Sequence, residues 1–221
     1  MKKILFTLCI VMCSIACSSV NTAVSQHNPL HNTLTKQEIK EGWTLLWNGE
    51  DLSGWKSNSG KDFTKGWSCA DGVLSIAAGS GAGDIITERK YHDFELSIDF
   101  KFTEGANSGI FHRVQDGDKL WPNAIECQLC SGKAGDFVML GGSKIQEMEC
   151  VEQFPVKNRV GDYENPAGEW NTAKVVCKGN KITVYINGQL QNECTCDSTE
   201  GYIALQSEGG PIEFRNVYIE E

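Results

Sequence analysis

Thr172-Ala173-Lys174-Val175-Val176-Cys177-Lys178-Gly179-Asn180-Lys181-Ile182-Thr183-Val184-Tyr185-Ile186-Asn187-Gly188 reads as two strands joined by one tight turn and followed by a second. Apolar side chains recur at every other position through Ala173, Val175 and Cys177, and again through Ile182, Val184 and Ile186, which is the period of a half-buried strand. Asn187-Gly188 suits a two-residue hairpin turn that needs positive φ at both central positions, and Gly179-Asn180 makes another. Similar runs lie at 43–47, 72–77, 84–87, 94–102, 109–114, 124–129, 201–206 and 212–219, separated by Gly, Asn and Asp. No long stretch has a helical period. Many short antiparallel strands with tight turns predict an all-β sandwich, a single-domain jelly roll whose curved sheet offers a concave face to a ligand.

Two of these runs carry functional side chains among core-type residues. In Asn107-Ser108-Gly109-Ile110-Phe111-His112-Arg113-Val114, strict alternation puts Phe111 and Arg113 on one face and Ile110 and His112 on the other. In Ala124-Ile125-Glu126-Cys127-Gln128-Leu129, Glu126 and Gln128 project together. A polar stripe on an otherwise apolar sheet predicts a ligand groove. The least regular segment, 131–168, contains Gly141-Gly142, Pro155 and Asn165-Pro166, and so long a connection reads as a loop walling that groove. Gly141-Gly142-Ser143-Lys144 lacks the spacing of a nucleotide-phosphate loop.

At the amino end, Lys2 and Lys3 precede an apolar run over 4–12 that is too short to span a bilayer, then small residues ending at Ala16-Cys17. Ser14-Ile15-Ala16-Cys17 resembles a bacterial lipobox, so residues 1–16 are expected to be a signal peptide and Cys17 the lipidated residue. Residues 17–40 are poor in large apolar side chains and are expected to be a flexible tether to the domain at 41–221. The location that follows is the cell envelope, lipid-anchored to the outer membrane and facing the periplasm.

The whole chain has a net charge of −9, and loss of residues 1–16 removes two more positive charges. So acidic a chain with no basic stripe excludes nucleic acid as a partner. Beyond Cys17 the mature chain keeps Cys69, Cys127, Cys130, Cys150, Cys177, Cys194 and Cys196, an odd set in which at least one thiol stays free. Cys127 and Cys130 have zinc-like spacing, but Cys127 alternates within an apolar strand, as a buried small hydrophobe does.

Several motifs together resemble the 3-keto-disaccharide hydrolase family, also described as 3-keto-glucoside 1,2-lyase and 3-keto-2-hydroxy-glucal hydratase. They are Leu46-Trp47-Asn48-Gly49-Glu50-Asp51-Leu52-Ser53-Gly54-Trp55, Trp67 with Asp71-Gly72-Val73-Leu74, Asn107-Ser108-Gly109-Ile110-Phe111, Ile125-Glu126-Cys127-Gln128-Leu129, Gly168-Glu169-Trp170-Asn171, and 204–217 beginning Ala204-Leu205-Gln206-Ser207-Glu208-Gly209. The resemblance implies a concanavalin-like jelly roll, a carbohydrate partner and activity on sugars oxidised at carbon 3, in exported proteins of Bacteroidetes. Many relatives have Asp-His-Gly after the Leu-Gln pair where this chain has Ser207-Glu208-Gly209.

The implied chemistry needs a base for the proton on carbon 2, a cationic or metal partner for the enolate oxygen, and an acid for the leaving group. Glu126 is the expected base, or else a salt-bridge partner of Arg113 across neighbouring strands. Arg113 is the expected enolate partner. His112, with an ordinary pKa of about 6.5, suits proton transfer or packs as a core residue. His112 and Glu126 are also the ligand set expected for a divalent metal ion, which no spacing demands. Gln128, Gln206, Glu208, Lys133 and a stacking Trp121 are expected to contact the sugar, whereas the remaining tryptophans look like core anchors. The rival function is a noncatalytic, lectin-like carbohydrate-binding module on the same fold.

Overall fold

The computed structural model describes residues 30–60, 62–117 and 121–221. A short helix, α1 (Lys36–Glu41), precedes β1 (Thr44–Leu45), β2 (Trp55–Ser57), β3 (Trp67–Ala70), β4 (Val73–Ile76) and β5 (Ile85–Thr87). The middle of the chain forms β6 (Phe94–Phe102), β7 (Gly109–Val114), β8 (Ala124–Gln128), β9 (Phe137–Leu140) and β10 (Val156–Lys157). It ends with β11 (Asn171–Lys178), β12 (Lys181–Ile186), β13 (Gln189–Thr195), β14 (Tyr202–Leu205) and β15 (Ile212–Glu220). One sheet runs β13-β12-β11-β6-β15-β4-β3 with β1 added to β15, and the other runs β10-β9-β8-β7-β14-β5-β2. All pairs are antiparallel and the last strand sits centrally, between β6 and β4, so the expected jelly-roll sandwich is what forms.

The two sheets bury one core between them. Leu96, Ile98 and Phe100 of β6 and Val175 of β11 meet Ile110 of β7, Ile125 and Cys127 of β8 and Ile203 of β14. The β12–β13 turn has Asn187 at φ 50° and Gly188 at φ 78°, as its sequence requires. A second apolar cluster lies on the opposite face of the β7–β8 sheet, where Phe111, Ala124, Val138 and Leu140 are covered by Trp121, Phe154 and Tyr202. Strands β7 to β9 are therefore buried on both faces, each side chain such as Phe111 contributing roughly 1.5–3 kcal/mol by leaving water.

Several expectations are corrected here. The segment 131–168 is not all loop, since Phe137–Leu140 extends the sheet beside β8. The described end of the segment expected to be a tether is bound to the sandwich, from Asn32 onward. Asn32 N–H donates to Asn216 Oδ1 at 2.7 Å, Asn216 N–H returns to Asn32 Oδ1 at 2.8 Å, and Asn32 Nδ2 donates to Gly72 O at 2.7 Å. Helix α1 then starts with a Thr35–Glu38 capping box and stops at Gly42, which has φ 99°. The signal peptide and Cys17 lie outside the described residues. Among the described residues no helix is long and apolar enough to cross a membrane. All seven described cysteines are free thiols, and Cys127 packs in the core as a hydrophobe.

Candidate functional site

The alternation of β7 breaks at Arg113. Arg113 has φ 58°, and the pairing with β14 jumps from Phe111 opposite Ala204 to Val114 opposite Tyr202. His112 and Arg113 together thus face the single residue Ile203, a bulge, and Val114 returns to the face of Phe111. The expected pairing of Phe111 and Arg113 on one face is therefore overturned. Arg113 is 1% exposed and clamps backbone carbonyls, donating to Tyr91 O at 3.2 Å, to His92 O, and to Gly179 O at 2.8 Å.

Glu126 goes the other way. It is paired with Phe111 and Val138, both on the outer face, whereas His112 is paired with Ile125 of the inter-sheet core. His112 Nδ1 lies 3.1 Å from Ile125 O, and burial, helped by the Arg113 charge, pushes its pKa down to about 4. His112 and Glu126 consequently stand on opposite faces of one sheet, and Arg113 forms no ion pair with Glu126. The expected His112–Glu126 metal set does not fit this geometry, and among the described residues no three His, Cys, Asp or Glu side chains group as metal ligands.

What surrounds Glu126 is a row of oxygen acceptors. Glu126 is 2% exposed, and its Oε1 has no hydrogen-bond partner among the described residues; the same is true of Gln128 Oε1, Gln206 Oε1 and Asn107 Oδ1. Burial first, and then the charges of Glu208 and Asp84, push the Glu126 carboxyl well above the usual carboxylate range. The Glu126 carboxylate fits only because residue 109 is glycine: a β-carbon there would overlap it. The backbone is fixed by Gln206 N–H to Gly109 O at 2.9 Å and Ser108 Oγ to Gln206 O at 2.8 Å. Glu208, whose own carboxyl is raised by partial burial, accepts from Asn107 Nδ2 at 2.6 Å.

Beside this row opens a cleft of about 120 Å3 lined by Asn58, Asp84, Trp121, Gln206 and Ser207. Trp121 meets Phe154 edge-on at 5.6 Å between ring centroids, so the 131–168 segment does wall one end of the groove. The structure thus gathers Glu126, Gln128, Gln206, Glu208 and Trp121 on one face. It leaves out His112 and Arg113, and Lys133 stands on an exposed turn. Sequence reasoning missed Asp84, Asn107 and Asn58. Asp84 was findable, since it lies two residues before Ile86, whose side chain belongs to the outer face.

A row of amide oxygens beside a carboxyl with a raised pKa can bind hydroxyl donors and, with that carboxyl ionised, accept a proton from carbon. Residues 42–220 match the 3-keto-alpha-glucoside-1,2-lyase-like domain. A 3-keto-disaccharide hydrolase of Bacteroides thetaiotaomicron is 24% identical over 81% of this chain and 78% of its own length. A Parabacteroides distasonis structure, provisionally named a glycosyl hydrolase, superposes with TM-score 0.70 at 28% identity, covering 86% of this chain and 99% of that one. The carbohydrate-binding module CBM66 of Bacillus subtilis shares the fold alone, with TM-score 0.54 at 16% identity over 78% of this chain and 98% of the module.

Proposed function

The chain belongs to the 3-keto-alpha-glucoside-1,2-lyase-like family, and we propose that it is a glycoside-cleaving enzyme acting on 3-keto-glycosides by elimination and hydration. The observation that carries this reading is Glu126, a buried carboxyl with an unpartnered oxygen and a raised pKa beside a polar groove. A ketone at carbon 3 acidifies the proton on carbon 2. Glu126 as carboxylate removes that proton, and a pKa raised toward the working pH makes it a stronger base than an exposed glutamate. The electron pair forms the carbon 1–carbon 2 double bond as the group on carbon 1 leaves with a proton from Glu208, giving an enone. Water then adds at carbon 1, passing one proton to the Glu208 carboxylate, and carbon 2 takes a proton back from Glu126, so both carboxyl groups are restored and the net reaction is hydrolysis.

Developing charge on the keto oxygen needs donors. With Arg113 turned into the core, the Gln128 amide N–H supplies one as a neutral hydrogen bond, the Gln206 amide being taken up by Glu208. Glu208 occupies the place where relatives carry a histidine, and its raised carboxyl supports the acid role. The sequence of residues 1–17 supports an exported, lipid-anchored protein of the cell envelope.

The test is Glu126→Gln. It should lower kcat on a 3-keto-glucoside by roughly 10²–10⁴ with the fold intact, while the unoxidised glucoside is untouched by either protein. Saturable glycan binding without turnover by the wild type would replace the enzyme with a carbohydrate-binding module.

A further inference from the structure

The register of the β10-to-β2 sheet sets a row of outer-face positions side by side, across the strands rather than along one. Gln128 of β8 pairs with Gly109 of β7, and the bond from Gln206 N–H to Gly109 O brings Gln206, just past β14, to the next place. Leu205 and Ser57 both pair with Ile85, which adds Asp84 and then Asn58, joined by Asn58 N–H to Asp84 O at 3.0 Å. Gly109 contributes no side chain, and the Glu126 carboxylate lies over it instead.

The two ends of the row differ. On the β9 side, the pairing of Cys127 with Phe137 makes Asp136 the next member, but Asp136 is 4% exposed and covered by Arg159, whose backbone N–H donates to it at 2.7 Å and whose guanidinium stands 3.6 Å away. That end is closed. On the other side β2 is the sheet edge, and from β7 to β2 the row crosses three strand spacings, about 14 Å, which is longer than one pyranose ring. This open stretch is the cleft lined by Asn58, Asp84, Trp121 and Gln206. Gln206 is 2% exposed and its Oε1 has no partner among the described residues, while Asn58 and Trp121 are half-buried.

Glu208 fixes the direction of departure. It accepts from Asn107 Nδ2 at 2.6 Å and takes up the Gln206 amide, so the acid stands on the β14 side of Glu126. The group on carbon 1 therefore leaves toward the cleft.

We propose that the cleft binds a leaving group of at least two sugar rings, so that the enzyme removes one terminal 3-keto sugar from an oligosaccharide. The assignment rests on the groove reading: the keto ring sits over Gln128 and Glu126, the next ring against Trp121 and Gln206, and the one after beside Asp84 and Asn58. Sugar hydroxyls both donate and accept, which suits the Gln206 oxygen and the Asn58 amide, and the apolar face of a pyranose suits an indole.

Maltose and maltotriose, and separately cellobiose and cellotriose, each oxidised at carbon 3 of the non-reducing glucose, are titrated by calorimetry into full-length Glu126→Gln. In at least one series the trisaccharide should bind about tenfold tighter than the disaccharide, and wild-type kcat/KM should show the same ratio. Adding Asn58→Ala, with the fold checked by its urea midpoint, should bring the ratio toward one. The proposal is overturned if disaccharide and trisaccharide bind alike in both series, or if the gain survives Asn58→Ala. Binding is read without turnover, so length-dependent binding by a wild type that cleaves neither sugar would support the site and overturn the catalytic reading alone, whereas turnover with no dependence on length would do the reverse.

Discussion

Gly109→Ala changes one hydrogen to a methyl group, and its consequence is set almost wholly by Glu126. Gly109 does not have the positive φ that would itself reject alanine. The three atoms nearest a β-carbon at 109 all belong to the Glu126 carboxylate arm, with Cγ and Cδ at 2.8 Å. Glu126 is 2% exposed, walled by Phe111 and Val138, and cannot swing aside without disturbing packed neighbours. Overpacking of this kind costs roughly 1–3 kcal/mol, and a displaced base of about 1 Å lowers turnover about 10²-fold. In a Glu126→Ala background the clash is gone. There the same Gly109→Ala change should be neutral, or stabilising by about 0.4–1 kcal/mol through reduced freedom of the unfolded chain. The assay is a double-mutant cycle by urea unfolding with tryptophan fluorescence, with keto-glucoside turnover measured on the Gly109→Ala single variant. An equal cost of Gly109→Ala in both backgrounds would refute the claim that glycine is there to seat the carboxylate.

Three further outcomes follow from the same geometry. Because the Glu126 pKa is raised, its stabilising contribution is present below the unfolded value of about 4.3 and is lost as pH rises through the folded value, each pH step of one between the two costing about 1.4 kcal/mol; Glu126→Gln should flatten that decline in urea midpoints above about pH 4.3. His112 is lowered to about 4, so it stabilises the fold above about pH 6.5 and loses roughly 3 kcal/mol as pH falls toward the folded value. His112→Gln should remove that acid sensitivity while keeping most keto-glucoside turnover, and loss of turnover in a folded variant would put His112 back at the site. Asn32→Ala should cost about 1–3 kcal/mol by breaking the reciprocal bonds to Asn216, measurable as a lower urea midpoint, whereas an unchanged midpoint would mean that residues 30–35 do not hold the domain.

Where one face is wet and the other dry, alternation made the strands legible. Strands β6 and β12 were bounded to the residue in this way, and the two turns flanking β12 were specified by Gly-Asn and Asn-Gly pairs. Phe137–Leu140 was invisible because burial on both faces removes the period, leaving a short apolar run inside a glycine-rich segment. Gln189–Thr195 was hidden by an inverted pattern in which Gln191 and Asn192 are the buried residues. Glu126, Gln128, Gln206 and Glu208 could be read as one face from spacing and resemblance together. The bulge could not, because nothing in Phe111-His112-Arg113-Val114 announces a positive φ at an arginine. That one backbone angle moved Arg113 from the expected groove to the core and left carboxylates and amides on the groove face.

The most direct test of elimination and hydration is to incubate the protein with a 3-keto-glucoside in deuterated water and locate the label in the 3-keto-glucose released. In the proposed mechanism Glu126 removes the carbon 2 proton, exchanges it with the water that enters for hydration, and returns a deuteron, which predicts deuterium at carbon 2 of the product and no release from Glu126→Gln beyond background. Release of 3-keto-glucose carrying protium at carbon 2 would mean direct substitution at carbon 1 and would contradict the account.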